Sequence, residues 1–223
     1  MIAAYLRTSS GLVCTADQIV VTCGAQQAIS LCAQLLLQLG DRAAVENPGY
    51  RAAGHALASA GAEVVGIGVD EGGLRCDELM QVATCKVAYV TPAHQYPTGV
   101  TLSLARRLQL LGWARHTGAW IIEDDYDGEY RYSSAPLAPL AALDPDGRVL
   151  YIGTFGKVAF PALRLGYREC GKPRSSVRGQ EHGRRRRPNR AFADPQYIGA
   201  GFPSALLHMT MQSRTVTTAR LDA

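Results

Sequence analysis

One segment near residue 150 constrains the fold of this chain more than any other. The apolar run 149–152 is typical of a buried strand, and it leads into a glycine-flanked turn that presents a single lysine, Lys157. A second apolar run that contains Arg164 follows and predicts a return strand. The segment therefore predicts a buried strand, a turn that carries one amine, and a strand that comes back.

The amine of Lys157 has two interpretations. A lysine at the end of a strand is usually a solvated terminus. Lys157, however, is the only lysine between Lys86 and Lys172, and its glycine and phenylalanine neighbours could exclude water. Loss of water lowers the pKa of a lysine and makes its amine nucleophilic towards carbonyls. Such an amine is what a Schiff-base lysine needs, and Arg164 adds a fixed cation suited to phosphate, so the segment fits a Schiff-base lysine beside a phosphate group as well as a solvated lysine.

Short apolar strands alternate with helical segments along the first three quarters of the chain. Strands are predicted at 19–22, 42–46, 63–69, 86–90, 119–123 and 149–152, and helices at 1–10, 23–39, 51–60, 77–82 and 102–116. The segment 133–147 is rich in proline and alanine and is predicted to be a loop. This order of elements predicts an α/β chain.

The turn between the first strand and the long helix is a candidate anion site. Gly24 at such a turn lets the free backbone N–H groups of the helix start face an anion. The same residues also fit an ordinary tight turn, which is the commoner interpretation of such a turn by itself. The combination with Lys157 favours the functional interpretation.

Two further loops directly follow predicted strands. The loop 91–100, which contains His94, lies at the carboxyl end of a strand, where open α/β sheets bind their ligands. The acidic run 123–130 follows the apolar strand 119–123. Acidic runs are usually solvated, but a carboxylate placed directly after such a strand should lie at the ligand edge of the sheet. His94 also fits a simple loop histidine.

Together these motifs resemble the fold-type I enzymes that use pyridoxal 5'-phosphate (PLP). The nearest likeness is the aminotransferase-like domain of MocR-type regulators, which form the PLP branch of the GntR family. The resemblance covers about residues 2–167 and implies an α/β fold with a three-layer, mostly parallel sheet, the PLP-binding large domain in incomplete form. It also implies that Lys157 is the Schiff-base lysine.

The resemblance assigns the phosphate and ring contacts of the cofactor. The phosphate is expected to be held by the turn at Gly24, through the amides of Ala25 and Gln26, and by the side chains of Thr154 and Arg164. The resemblance places Tyr50 against the pyridine ring and His94 in the loop beside it. A hydrophobic staple is the alternative interpretation of Tyr50.

The acidic run is expected to supply the carboxylate of the site. In this resemblance Asp124 faces the pyridine nitrogen and keeps it protonated, so that the ring can accept electrons. The hydroxyl of Tyr126 is expected near the phenolic oxygen of the cofactor. Asp125 and Asp127 are predicted to be solvated.

Two residues depart from the patterns of related proteins. Gly156 stands before Lys157 where the family usually has serine, which removes one hydroxyl from the phosphate cup. Tyr96 stands where many aminotransferases have an asparagine that bonds the phenolic oxygen. The tyrosine favours the MocR branch over a housekeeping aminotransferase.

The charge of the chain changes at Tyr167. Residues 1–167 carry 12 Lys and Arg against 15 Asp and Glu, whereas residues 168–223 carry 11 against 4. A PLP-binding domain is therefore predicted at 1–167 and a basic tail at 168–223. The arginine run 184–187 fits a nucleic-acid patch, a disordered solvated tail, or a shifted reading frame in a GC-rich gene, and the frame shift ranks above the nucleic-acid patch.

Cysteine usage and hydropathy indicate a cytoplasmic protein. The six cysteines form no C-x-x-C pair and have no metal-ligand spacing, so no metal is expected, and they are interpreted as reduced and mostly buried. No run of about 18 apolar residues and no signal peptide is apparent.

These observations predict the effector-sensing domain of a MocR-type regulator that lacks its DNA-binding domain. The alternatives are an aminotransferase acting on an amino acid and a non-functional fragment. The expected partners are a small amino compound, as effector or substrate, and a second copy of the chain. Transamination by this chain alone is not expected, because the arginine that clamps the substrate carboxylate in the family lies in a region that the basic tail replaces.

Overall fold

The computed structural model describes residues 2–127 and 138–154 and the backbone of Gly166–Cys170. The strands are β1 Ile19–Thr22, β2 Arg42–Asn47, β3 Glu63–Asp70, β4 Gly73–Leu74, β5 Cys85–Val90, β6 Trp120–Asp125, β7 Val149–Thr154 and β8 Gly166–Cys170. The α-helices are α1 Ile2–Ser10, α2 Ala25–Leu36, α3 Arg51–Ser59, α4 Cys76–Gln81, α5 Leu104–Thr117 and α6 Leu140–Leu143, and a short 3-10 helix spans Ala16–Gln18.

The strands form one sheet in the order β1-β8-β7-β6-β5-β2-β3-β4. The neighbours from β7 through β6, β5 and β2 to β3 are parallel, whereas β8 is antiparallel to both β1 and β7, and β4 is antiparallel to β3. Since β1 and β7 both oppose β8, β1 points the same way as the parallel strands. The carboxyl ends of β1, β2, β5, β6 and β7 therefore meet at one edge, which we call the ligand edge.

Helices cover both faces of the sheet. On one face, α2 and α3 pack through Ala28, Ile29 and Leu57 onto the inward side chains of the central strands. On the other face, α4, α5 and α6 pack onto a second apolar cluster, and α1 packs beside it against Tyr151. Successive residues of a strand point to opposite faces, so Ile121 contacts the α5 side and Ile122 the α2 side. The chain thus forms three layers, and the predicted α/β fold with a mostly parallel sheet is confirmed.

The boundaries of several elements differ from the predictions by a few residues. Helix α2 ends at Leu36, three residues before the predicted end. Helix α6 lies inside the segment predicted to be a loop. Its first N–H groups, those of Leu140 and Ala141, donate to the buried carboxylate of Glu123, both at 2.9 Å. A partner 17 residues away in the sequence leaves no local signal, which explains why the helix was missed.

The proposed domain boundary falls inside β8. This strand continues from Gly166 to Cys170 and pairs with both β1 and β7. Residues 171–223, which make up most of the predicted basic tail, lie outside the described residues. In the described part of the chain, no helix has the length and apolar character needed to cross a membrane.

Candidate functional site

The start of α2 offers backbone N–H groups at the ligand edge. Gly24 precedes the helix with a φ of 89°, a left-handed conformation that glycine adopts without steric cost. The Thr22 hydroxyl donates to the Gly24 carbonyl over 3.1 Å and fixes the turn. The first bond along the helix runs from the Ala28 N–H to the Gly24 carbonyl, so the amides of Ala25 and Gln26 precede the helical ladder. Such amides and the positive end of the helix dipole favour an anion.

Tyr50 stands beside this helix start. It directly precedes α3, leaves 37% of its surface exposed, and places its hydroxyl 3.4 Å from Oε1 of Gln26. Gln26 in turn donates its Nε2 to the Ala52 carbonyl over 3.1 Å, which ties the start of α2 to the start of α3. Partial burial and the charge of nearby Asp124 raise the pKa of Tyr50. The structure therefore brings the predicted phosphate turn, Tyr50 and Asp124 into one neighbourhood.

Asp124 is a buried carboxylate at the carboxyl end of β6. Only 4% of its surface is exposed, and its Oδ2 accepts a hydrogen bond from the Tyr89 hydroxyl at 2.7 Å. Burial and the Asp124 charge raise the pKa of Tyr89 well above its usual value, so the phenol remains a donor. Asp124 shares its face with Ile122, which contacts the α2 layer. It lies on the same side of the sheet as the Gly24 turn.

The prediction that Asp125 is solvated is wrong. Only 7% of Asp125 is exposed, and its Oδ2 accepts a hydrogen bond from the Tyr151 hydroxyl at 2.7 Å on the opposite face. The prediction failed because helices cover both faces of this sheet, so both alternating side chains of β6 become buried. Asp127 is also less solvated than predicted, because its Oδ2 lies 3.0 Å from Nδ1 of His94 and only 19% of its side chain is exposed.

Four rings line the mouth of the site in a row. The centroids of Tyr50 and Tyr96 lie 6.0 Å apart, and those of Tyr96 and Tyr126 lie 6.1 Å apart, both edge to face. His94 stacks on Tyr126 at 6.1 Å. Burial and the charges of Asp127 and Asp124 raise the pKa of Tyr126 to about 12, so its hydroxyl keeps its proton. The predicted site residues Tyr50, His94 and Tyr126 are therefore neighbours.

The remaining predicted contacts belong to β7 and the segment after it. Thr154 ends β7 and is half-buried, two residues beyond Ile152, the parallel partner of Asp124. Lys157 and Arg164 lie outside the described residues. Their assigned roles stay predictions.

Sequence reasoning missed a set of buried polar residues behind the site. Glu46, Thr91 and Gln95 form one hydrogen-bonded group under the loop that carries His94. Arg107 is 1% exposed and donates to three carbonyls, those of Pro92, Leu102 and Ala138. Glu46 lies near the carboxyl end of an apolar strand, as Asp124 does, and this position was the sequence feature that could have identified it. No sequence feature distinguishes buried Arg107 from its neighbour Arg106, which pairs with Asp70 instead.

The arrangement at the ligand edge can hold a phosphorylated ring. Backbone amides at the start of α2 suit an anion, Tyr50 offers an aromatic face, and buried Asp124 can hold a cationic ring nitrogen. The hydroxyl of Tyr126 can bond a ring oxygen. These groups converge from three segments of the chain: the start of α2, the turn before α3 and the end of β6.

Known proteins with similar sequences and structures share this architecture. The family model "Aminotransferase class I and II" matches residues 1–178. The chain is 40% identical over 166 residues to the probable rhizopine catabolism regulatory protein MocR of Rhizobium meliloti, which covers 74% of this chain and 34% of that protein. The chain thus spans about a third of the length of this curated relative.

Solved aminotransferases are similar in structure. An archaeal alanine:glyoxylate aminotransferase matches with a TM-score of 0.73 and 34% identity, over 77% of this chain and 44% of that one. The Pyrococcus horikoshii kynurenine aminotransferase, solved in complex with PMP, matches with a TM-score of 0.69 and 35% identity, over 75% of this chain and 43% of that one. The similarity therefore includes a protein whose structure holds a pyridoxal-type cofactor.

Proposed function

Because the chain belongs to the aminotransferase class I and II family, we propose that it forms the PLP-binding, effector-sensing part of a MocR-type transcriptional regulator. The family is PLP-dependent. The observation that carries the proposal is buried Asp124, oriented by the Tyr89 hydroxyl at 2.7 Å on the face that also bears the Gly24 turn. A small amino compound is the proposed ligand, and a homodimer the proposed assembly.

The described residues fit PLP by their chemistry. The phosphate suits the amides of Ala25 and Gln26, and the pyridine ring suits the face of Tyr50. Asp124 suits the ring nitrogen, because a carboxylate in a region of low dielectric favours a protonated neighbour. The Tyr89 bond occupies Oδ2 of Asp124 and fixes the plane of the carboxylate. No residue of this set has the wrong charge for its proposed contact.

The proposed mechanism assigns one task to each side chain. PLP, when bound, supplies an electron sink for bonds at the carbon next to an amine. Lys157 would hold the cofactor covalently through its amine. Asp124 keeps a proton at the pyridine nitrogen, and Tyr126, whose phenol stays protonated, donates to the phenolic oxygen. Arg164 and Thr154 complete the phosphate contacts begun by α2.

Borohydride reduction tests the covalent link directly. The chain contains three lysines, Lys86, Lys157 and Lys172. The purified chain with PLP should show the absorption band of lysine-bound PLP, and reduction should place a pyridoxyl group on Lys157. The variant K157A should lose the band, whereas K86A should keep it, since Lys86 is exposed on β5. A folded chain without the band, or a band unchanged in K157A, would contradict the proposal.

An aminotransferase that acts on an amino acid is the second candidate. It is favoured by the similarity to solved aminotransferases at 34% and 35% identity. The two functions differ in turnover. A sensor domain would bind the amino compound without turnover, whereas an aminotransferase would release a keto acid and accept a second substrate. Incubation of the PLP-loaded chain with a panel of amino acids, followed by keto acid detection, separates the two.

The division into a PLP-binding domain at 1–167 and a separate basic tail remains a proposal. A truncation that tests it should be made after residue 178, the end of the family match, because β8 runs to Cys170 and pairs with two strands. If the tail is a separate extension, its removal leaves PLP binding unchanged. Loss of folding in that truncated chain would contradict the division.

A further inference from the structure

We propose that Glu46 is a positioning residue, whose carboxylate holds the turn that carries Tyr50 and the loop that carries His94 and Tyr96 in one arrangement at the ligand edge. The inference rests on the proposed function, because the position of Tyr50 matters if a ring stacks on it. It concerns a residue that the assigned cofactor contacts do not include.

The carboxylate of Glu46 gathers donors from the loop after β5. Its Oε2 accepts from the Thr91 hydroxyl at 2.6 Å and from Nε2 of Gln95 at 3.2 Å, and its Oε1 accepts from the Thr91 N–H at 3.3 Å. All three side chains are buried. Because Glu46 lies at the end of β2 and Thr91 directly after β5, the carboxylate joins the ends of two neighbouring strands.

Gln95 connects this group both to the turn before Tyr50 and to the loop that carries Tyr96. Its Nε2 also donates to the Pro48 carbonyl at 2.9 Å, in the turn before Tyr50, and to the Tyr96 carbonyl. Its Oε1 accepts from the N–H and the hydroxyl of Thr98, at 3.1 and 2.6 Å. The Tyr96 N–H donates to the Thr91 hydroxyl oxygen at 3.1 Å. The turn and the loop are therefore both bonded to Gln95, and the Glu46 carboxylate bonds Gln95 and Thr91.

The turn folds back onto Glu46 itself. A Cβ at Gly49 would collide with the carbonyl oxygen of Glu46, so only glycine fits there. Tyr50 follows immediately, and its ring meets Tyr96 from the other loop at 6.0 Å. Because Gln95 bonds both the Glu46 carboxylate and the Pro48 carbonyl of this turn, a shift of the carboxylate would be transmitted to both rings at the mouth of the site.

The contacts require an acceptor at Glu46 rather than a side chain that merely fills space. Every hydrogen-bond partner of its carboxylate is a donor. Burial, with a contribution from the charge of Asp124, raises the pKa of Glu46 to about 7, so the buried charge carries an energetic cost. An apolar side chain at a purely structural position would avoid that cost. Glutamine has nearly the same shape as glutamate, but its NH2 group would face a donor. The variant E46Q therefore separates a role as hydrogen-bond acceptor from a role in filling space.

The test compares E46Q with E123Q in the full chain. Glu123 is a matched control, because it is also a buried glutamate with a pKa raised to about 7 by burial, but its carboxylate accepts from the Leu140 and Ala141 N–H groups at the start of α6 rather than from Thr91 and Gln95. Three quantities are measured: hydrogen exchange of the Thr91, Tyr96 and Thr98 amides without PLP, the dissociation constant of PLP, and the circular dichroism of bound PLP at saturation. The dichroism reports the orientation of the ring and does not depend on global stability.

In E46Q we expect exchange of those amides to accelerate and PLP affinity to fall, each by about tenfold, and the dichroic band of bound PLP to change. E123Q should leave all three unchanged. If E46Q does not fold, T91V keeps Glu46 but removes the central hydroxyl, and it should change the three quantities in the same direction.

Two outcomes would overturn the proposal. Normal exchange in E46Q would show that the carboxylate does not hold the loop. Faster exchange with unchanged PLP affinity and an unchanged band would show that the group is only structural. If the wild-type chain does not bind PLP at all, the proposed function fails, and the exchange measurement then decides alone whether Glu46 holds the two segments together.

Discussion

The two faces of the sheet bury different charged groups. The face covered by α2 and α3 carries one buried charged group of the central strands, Asp124, beside the Gly24 turn and Tyr50. The opposite face, covered by α4, α5 and α6, carries Glu46 near the end of β2, Glu123 and Asp125 from β6, and the buried side chain of Arg107 from α5. Adjacent carboxylates of one strand thus enter different environments.

The two neighbouring carboxylates of β6 have nearly the same local surroundings. Asp124 and Asp125 each accept a hydrogen bond from a tyrosine hydroxyl at 2.7 Å, from Tyr89 and Tyr151 respectively. Burial and a bonded phenol therefore do not distinguish Asp124, the proposed cofactor carboxylate, from Asp125. The neighbours do, because only Asp124 shares its face with a helix start suited to a phosphate and with an aromatic ring.

Replacement of Arg107 should have the largest effect and would show that the α5 face carries stability. R107A would remove the Arg107 donor from the carbonyls of Leu102, Ala138 and Pro92, of which Pro92 keeps the Leu102 N–H as a donor. We expect a loss of about 3–5 kcal/mol in the free energy of unfolding, measured by urea denaturation. R115A, on the same helix but exposed, should change it by less than about 0.5 kcal/mol. Equal effects of the two variants would contradict this account.

The pH dependence of stability should follow from buried carboxyls of the chain. Burial raises the pKa of Glu46 and of Glu123 from 4.5 to about 7. Between these values the folded chain keeps protons that the unfolded chain releases, so the free energy of unfolding falls as pH rises from about 4.5 to 7. Each group contributes about 3 kcal/mol to that fall. E123Q should remove the contribution of Glu123, so that the free energy of unfolding falls less between about pH 4.5 and 7. A free energy of unfolding that rises over this pH range in the wild-type chain would contradict the raised pKa values.

Replacement of Tyr89 or Tyr151 should have smaller effects than the changes above, and the two variants should differ in whether PLP binding is affected. Y151F removes the donor to Asp125 and should lower the free energy of unfolding by about 1–3 kcal/mol, with PLP affinity unchanged. Y89F removes the donor to Asp124 and should weaken PLP binding by about tenfold as well. Urea denaturation and PLP titration of both variants check this. An equal loss of PLP affinity in the two would erase the distinction between the faces.

The sequence predicted the order of the principal strands and helices because each has its own apolar pattern. Strand β1 matches its prediction at both ends, and β6 was found to within two residues. The turn at Gly24 was located because it lies between a strand pattern and a helix pattern, and the acidic run because it directly follows a strand pattern. The gathering of Tyr50, His94, Asp124 and Tyr126 then follows from the parallel strands, whose carboxyl ends meet at one edge.

Burial and long-range partners could not be predicted in the same way. Asp125 looked solvated because its run is acidic, and only the helices over the second face show why it is buried. The bonds from Glu46 to Thr91 and Gln95 span 45 and 49 residues, and those from Arg107 depend on how loops close over α5. Such contacts depend on the assembled fold and leave no periodic signal in the chain.

Parallel PLP titrations of D124N and D125N decide which face of the sheet holds the cofactor. Both variants replace a buried carboxylate of β6 by an amide of the same shape, one on each face. The account predicts that D124N raises the dissociation constant of PLP by about 10- to 100-fold, since it removes the charged partner of the ring nitrogen, and that D125N changes it by less than about threefold. An unchanged constant in D124N, or an equal or larger rise in D125N, would contradict the assignment of the cofactor to the α2–α3 face.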